Sequence, residues 1–149
     1  MPRRFLKPFI ALLRQGITPE KLAASVAFGV ALGIFPVLGS TTLLCALAGL
    51  VVGLNQPAIQ SVNYVVYPLQ LALLIPFYRL GERLFHAPKL LISREGVERL
   101  VHSGVLNAIH VLWDTTMRAI VAWGLVAPCV AGGIYVLALP IFRRWASAR

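Results

Sequence analysis

Apolar positions dominate this chain in blocks, and the longest block, residues 22–78, contains no Asp, Glu, Lys or Arg. A soluble domain cannot leave so long a run uncharged, because its surface must be hydrated; lipid penalises charge and accepts such a run. The block follows Thr18-Pro19-Glu20, a helix start with Thr at the N-cap, Pro at the first helical position and an acid in the first turn. The helix this predicts, residues 19–35, has an apolar part from Leu22 that reaches only about 21 Å, against about 30 Å of bilayer hydrocarbon. Gly33-Ile34-Phe35-Pro36-Val37-Leu38-Gly39-Ser40-Thr41-Thr42 then breaks the pattern, and a second short apolar piece runs from Thr41 to Leu54. One helix through both would overshoot the bilayer and would have to cross Pro36 and Gly39. The pattern therefore predicts a Pro/Gly-broken hairpin of two half-length helices, re-entrant or discontinuous at membrane depth, where non-helical backbone must be shielded by something other than lipid.

Asn55-Gln56-Pro57 reads as a polar turn, with Pro57 able to open the next helix. Residues 58–78 are apolar but studded with Gln60, Asn63, Tyr64, Tyr67 and Gln70, and Pro68 and Pro76 are expected to break them. Amides at membrane depth face protein or water rather than acyl chains. Residues 79–118 carry six basic and four acidic side chains and read as a polar connector, with an amphipathic interfacial helix over 89–101. The last apolar stretch, 119–142, is long enough to span, with a kink or break expected at Pro128 and Gly132-Gly133, and 143–149 is a basic tail. Trp113, Trp123, Tyr135 and Trp145 are candidates for interfacial anchoring. At the start, Phe5, Phe9, Leu12 and Leu13 share one face while Arg4, Lys7 and Arg14 decorate the rest. That fits a basic helix in the headgroup plane over residues 1–17, or an ordinary flanking segment. No cleavage site of small residues follows, so the N-terminus is expected to be retained. Residues 1–149 thus read as a single all-α, polytopic integral membrane domain, with 18–78 as its broken-helix core.

Composition agrees with the pattern. The chain is 58% apolar and 13% charged, against about 25% charged in a typical soluble domain. Fourteen basic and five acidic residues leave a net charge of +9, which by itself would fit a nucleic-acid binder. Its placement argues otherwise: Arg3, Arg4, Lys7, Arg14 and Lys21 precede the uncharged run, and Arg143, Arg144 and Arg149 follow the last apolar stretch, as flanks of lipid-embedded segments do. Aromatic and basic residues do not interleave on a polar surface, so no nucleic-acid partner is expected. Basic residues occur before, between and after the apolar blocks. The positive-inside rule would place all three polar regions on one side, each block returning to its own side. Cys45 and Cys129 have neither metal-ligand nor disulfide-framework spacing and read as small packing residues.

Small residues recur every four positions in both arms of the hairpin: Ser25, Gly29 and Gly33 in the first, Cys45, Gly49 and Gly53 in the second. Such ladders let helix backbones approach closely in lipid, and could serve the hairpin's own arms or a second copy of the chain. Chemistry is scarce. His110 and Asp114, four apart, could form a proton relay or simply a solvated pair. No metal or cofactor set is present, and a Ser-His-acid site would need Ser40 or Thr41 to meet a distant His110. The expectation is a protein that is not an enzyme. The start of the second half-helix, Gly39-Ser40-Thr41-Thr42, reads either as an N-cap with a tight turn, as packing between copies, or as an anion site of free N–H groups and hydroxyls.

The string Gly16-Ile-Thr-Pro-Glu-Lys-Leu-Ala23, followed by Gly29-x3-Gly33-x2-Pro36-x2-Gly39-x-Thr41 and then Asn55-x-Pro57-Ala58, resembles the bacterial membrane family called domain of unknown function 2062. The resemblance runs over about residues 8–85, with a weaker match in the final apolar segment. It implies a small protein of the bacterial inner membrane, sometimes fused to glycosyltransferase domains that this chain lacks. The family's Asn-Pro-x-Thr element reads here as Tyr67-Pro68-Leu69-Gln70, which keeps the Pro and loses both polar partners. Two functions follow as expectations. One is an oligomeric transporter-like protein handling an envelope lipid headgroup, a phosphorylated lipid carrier or a small solute, with Pro36, Gly39, Ser40, Thr41, Thr42, Asn63 and Gln70 as its ligand residues. It requires a water-reaching crevice at Thr41 and Asn63. The other is a non-catalytic scaffold for an envelope glycosyltransferase, which requires an exposed patch over 79–101.

Overall fold

A computed structural model describes residues 17–90 and 93–148. Among these it contains five helices and no strand: α1 (Pro19–Gly33), α2 (Thr41–Val52), α3 (Gln56–Leu84), α4 (Arg94–His102) and α5 (Val105–Ser147). The expected headgroup-plane helix over residues 1–17 lies outside the described residues except for its last position.

Local signals set the hairpin. Thr18 caps α1 by accepting from the Lys21 N–H at 3.3 Å, with Pro19 at the first turn. The helix stops at Gly33, and the chain turns through the buried Pro36 and through Gly39, whose φ of +84° favours glycine. α2 then runs back to Gly53, which caps it in the left-handed conformation at φ +70°. A Cβ on Gly53 would meet nothing within 4 Å, so this glycine ends a helix and does not belong to a packing ladder. Asn55 caps α3 by accepting from the Ala58 N–H at 2.8 Å.

α1 is the centre of the bundle. Ala23, Ser25, Ala27, Gly29, Ala31 and Gly33 are all buried, so no outward stripe exists on this helix. α2, α3 and α5 surround it. α1 and α3 run in the same direction with backbones in close approach: a Cβ on Gly29 would lie 2.8 Å from Val62 Cβ, and one on Gly33 would lie 3.4 Å from Asn63. The Ser25–Gly29–Gly33 ladder therefore receives α3 of the same chain, and neither the other hairpin arm nor a second copy occupies it. α5 runs antiparallel to both. Gly81 of α3 packs against the Arg118 and Ala119 backbone, Trp123 donates to the Ala31 carbonyl at 2.8 Å, and Arg143 reaches Glu20 at 3.0 Å.

Three expectations change. Pro68, Pro76 and Pro128 do not break their helices: α3 is continuous over 29 residues and α5 over 43. Packing on both sides of each proline, through Asn63, Gln70 and Phe77 in α3 and through Ala127 and the partly buried Val130 in α5, holds the axis together although a backbone donor is lost. The polar connector over 79–118 shrinks accordingly, since α3 extends to Leu84, α5 begins at Val105, and the amphipathic helix starts only at Arg94. Trp123 is not an interfacial anchor. Its ring meets Phe35 edge-on with centroids 4.8 Å apart, inside the bundle.

The element directions also separate the two ends of the molecule. Glu20, Asn55 and Arg143 mark one end; Arg79–Leu84 and Arg118 mark the other. Among the described residues, the polar regions are thus divided between opposite ends of α3 and α5. α1 and α2 begin and finish at the Glu20 end, and their turn reaches only to the level of Asn63–Gln70. Counted from Asn55, that is about 12–22 Å along a helix of about 43 Å.

Candidate functional site

The turn of the hairpin is held by amides from α3. Gln70 donates from Nε2 to the Phe35 carbonyl at 2.8 Å, Gln60 to the Thr42 carbonyl at 3.0 Å, and Asn63 to Thr42 Oγ1 at 3.4 Å. Lower on the seam, Gln56 donates to the Ala46 carbonyl at 2.9 Å, across the face where Gly49 leaves room for it. Every one of these amides spends its N–H on an acceptor of the hairpin. Cys45 and Thr41 of α2 are buried beside them.

The predicted ligand residues therefore gather at one place. Pro36, Thr41, Asn63 and Gln70 are buried, Thr41 and Asn63 at 6% and 3% exposure, while Gly39 and Thr42 face outward. Ser40 stands at the N-cap of α2 but does not cap it with its hydroxyl, which donates instead to the Val37 carbonyl at 2.9 Å. Thr41 and Asn63, where transport through one subunit would require a crevice, are both buried, and the small face of α1 lets α3 approach closely beside them. His110 and Asp114 are both exposed on α5. Among the described residues, no group of three or more His, Cys, Asp or Glu gathers as a metal site would demand.

A second polar assembly lies at the other end of α3. Arg79, Glu82, Arg83, His86, Ala87 and Lys89 line an open recess of about 640 Å³. Glu82 organises it. Only 4% exposed, it accepts from Arg79 Nη1 at 2.8 Å and from the Leu90 N–H at 2.7 Å, so one carboxylate fixes an arginine and folds the following linker back. The turn between them is a Schellman closure: the Ala87 N–H reaches the Glu82 carbonyl at 2.9 Å and the His86 N–H reaches that of Arg83 at 3.3 Å. His86 occupies the left-handed position with φ +50°, where glycine is the ordinary choice. Lys89 also lines a smaller adjoining recess of about 250 Å³ with Arg99, Ser103 and Asn107. Sequence reading does not find this assembly. Its one signal is Arg79 and Arg83, four apart on one helix face.

The family model described as "Uncharacterized protein conserved in bacteria (DUF2062)" matches residues 3–149. No curated protein and no solved structure matches the chain.

Proposed function

Because this chain belongs to the bacterial family DUF2062, whose description assigns no activity, we propose from its physical build that it is a non-catalytic, multi-pass protein of the bacterial inner membrane that handles envelope lipids or phosphorylated lipid carriers at headgroup level. The observation that carries this reading is the outward face of the bundle. α3 and α5 are long and apolar enough to cross a bilayer, and only 22% and 11% of their apolar windows are buried within the protein. A soluble protein would hide such helices. Here Tyr64, Val65, Leu69 and Ile75 of α3 and Leu125, Val136, Leu137 and Ile141 of α5 all point away from the core.

On this reading α3 and α5 are the full crossings, and the α1–α2 hairpin is re-entrant, entering and leaving at the Glu20 end. Leu43, Leu47, Leu50 and Val51 of α2 are exposed and would meet acyl chains of one leaflet. The amide contacts to the turn support the same picture, since backbone at membrane depth must be satisfied by protein. Transport through a single subunit loses ground to surface handling of lipid, given the burial of Thr41 and Asn63. Any homo-oligomer would use the outer faces of α2, α3 and α5, as α3 fills the ladder on α1. The scaffold reading retains one support: α4 has no buried residue, and its Val97 and Val101 are exposed.

Alkaline carbonate extraction of cells expressing the chain tests the membrane reading, together with single cysteines at Lys21 and Arg83 probed by a membrane-impermeant maleimide in a background free of Cys45 and Cys129. The protein should stay in the pellet, and the two positions should label from opposite sides. Release into the supernatant, or labelling of both from one side of sealed vesicles, would overturn the proposed topology.

A further inference from the structure

We propose that the recess lined by Arg79, Arg83, His86 and Lys89 is a binding site for a phosphate ester, presented either by a lipid headgroup or by a soluble phosphorylated compound. The inference rests on the membrane reading above and names the site and ligand class that it lacks.

Charge is the first argument. Three cations face the recess against one acid, Glu82, which is only 4% exposed and whose two oxygens already accept from Arg79 and from the Leu90 N–H. Among the described residues neither Arg83 nor Lys89 has an ion-pair partner. Holding these like charges around one cavity is unfavourable unless an anion joins them. Arginine is suited to that anion, because its planar fork matches two phosphate oxygens at once, while Lys89 supplies a point charge from the linker after α3.

Construction is the second argument. The cations are not merely near one another on a flexible surface. The buried Glu82 carboxylate pulls the linker back over the end of α3, and the turn it closes carries His86 at φ +50°. A non-glycine residue in this conformation is strained, and such strain gathers where the side chain has work to do. The imidazole then stands on the recess wall as a further N–H donor.

Position is the third. Arg79 lies nine residues beyond Gln70, about 14 Å farther along α3 than the hairpin turn. The recess therefore sits at the opposite headgroup level from the hairpin's entry, where the apolar outer faces of α3 and α5 end. A phosphate there would leave room along those faces for acyl chains. A volume of about 640 Å³ also exceeds what bare phosphate fills, and the adjoining recess with Ser103 and Asn107 adds polar groups for the rest of a headgroup.

The test uses the full chain in phosphatidylcholine nanodiscs, with phosphatidic acid doped into the disc as the lipid probe and sn-glycerol 3-phosphate in solution as the soluble one. At least one probe should bind saturably, and R83Q/K89Q should weaken it tenfold or more. K21Q/R144Q removes the same charge at the other end and should change binding less than twofold. H86G relieves the backbone strain, so it should keep or raise the thermal midpoint while weakening binding severalfold, which separates binding from folding. Binding of phosphatidic acid alone identifies a lipid source, and binding of glycerol 3-phosphate in the same Arg83- and Lys89-dependent way identifies a soluble one. Absence of saturable binding by both probes, or equal weakening by the two double variants, overturns the site. A chain that never enters the discs instead overturns the membrane reading on which the site rests.

Discussion

Ser25 shows how much of this fold turns on single polar atoms. Its hydroxyl donates to the Lys21 carbonyl at 2.7 Å and accepts from the Asn55 N–H at 2.9 Å, with no exposure at all. The second bond fixes the start of α3 against α1, just past the end of the hairpin. Ser25→Ala would leave the Asn55 N–H buried without an acceptor, at a cost of about 1–3 kcal/mol, read as a lower thermal midpoint in detergent. At the same end, the Glu20 carboxyl is held below its ordinary value of 4.5, first by its own backbone N–H at the helix start and then by Arg143. A lowered value means that the ionised form favours the fold: the contribution is complete above the unfolded value and is lost as pH falls through the folded one. Arg143→Gln should raise the Glu20 titration midpoint part of the way toward 4.5, because the backbone bond remains; an NMR pH titration of the Glu20 carboxyl would show it. An unchanged midpoint would mean that the pair does not form.

Among elements, the glycines divide by what faces them. Gly29 meets the Ile59 carbonyl and Val62 so closely that a Cβ would fall 2.8–3.0 Å from them, whereas a Cβ on Gly132 would find nothing within 4 Å. Gly29→Ala should therefore force α1 and α3 apart at a cost of about 1–3 kcal/mol. Gly132→Ala should be neutral or stabilise α5 by up to about 1 kcal/mol through helix propensity, both read as shifts in thermal midpoint. The same contrast explains what the chain reveals in advance. Thr18-Pro19-Glu20, the Pro36–Gly39 turn and the Asn55 cap are local signals, and each sits where its local chemistry places it. Pro68, Pro76 and Pro128 are local signals as well, but there the packing of α3 and α5 on α1 prevails over the lost donor. The ladder on α1 announces a close neighbour without naming it, because periodicity carries no information about which helix arrives. The cationic recess depends on a carboxylate that reaches a backbone N–H eight residues on and on a left-handed His86, and neither leaves a periodic trace.

For the whole molecule, the decisive geometry is the unequal reach of its helices. α5 is about 64 Å long, twice the thickness of bilayer hydrocarbon, so on the proposed membrane placement part of it stands outside. Its polar first turns, with His110 and Asp114 exposed, are the part that fits water. The α1–α2 hairpin, in contrast, stops halfway along α3. If the membrane reading holds, a spin-labelled lipid should report this directly in a fluorescence-quenching series with single fluorophores along α2. Quenchers placed deep in the bilayer should act most strongly at Leu43, next to the turn, and those near the headgroup most strongly at Val51 and Val52, a shift of about 12 Å over eight residues. A plain loop in bulk water between two complete crossings would make Leu43 as shallow as Val51 and put the deepest position near Leu47, in mid-helix, and Gly39 would label freely with aqueous reagents. The two profiles differ at Leu43, so a single series chooses between a one-leaflet wedge and two complete crossings. The choice matters for the recess, because only a wedge leaves the far half of α3 and α5 without hairpin beside it, and that half ends at Arg79.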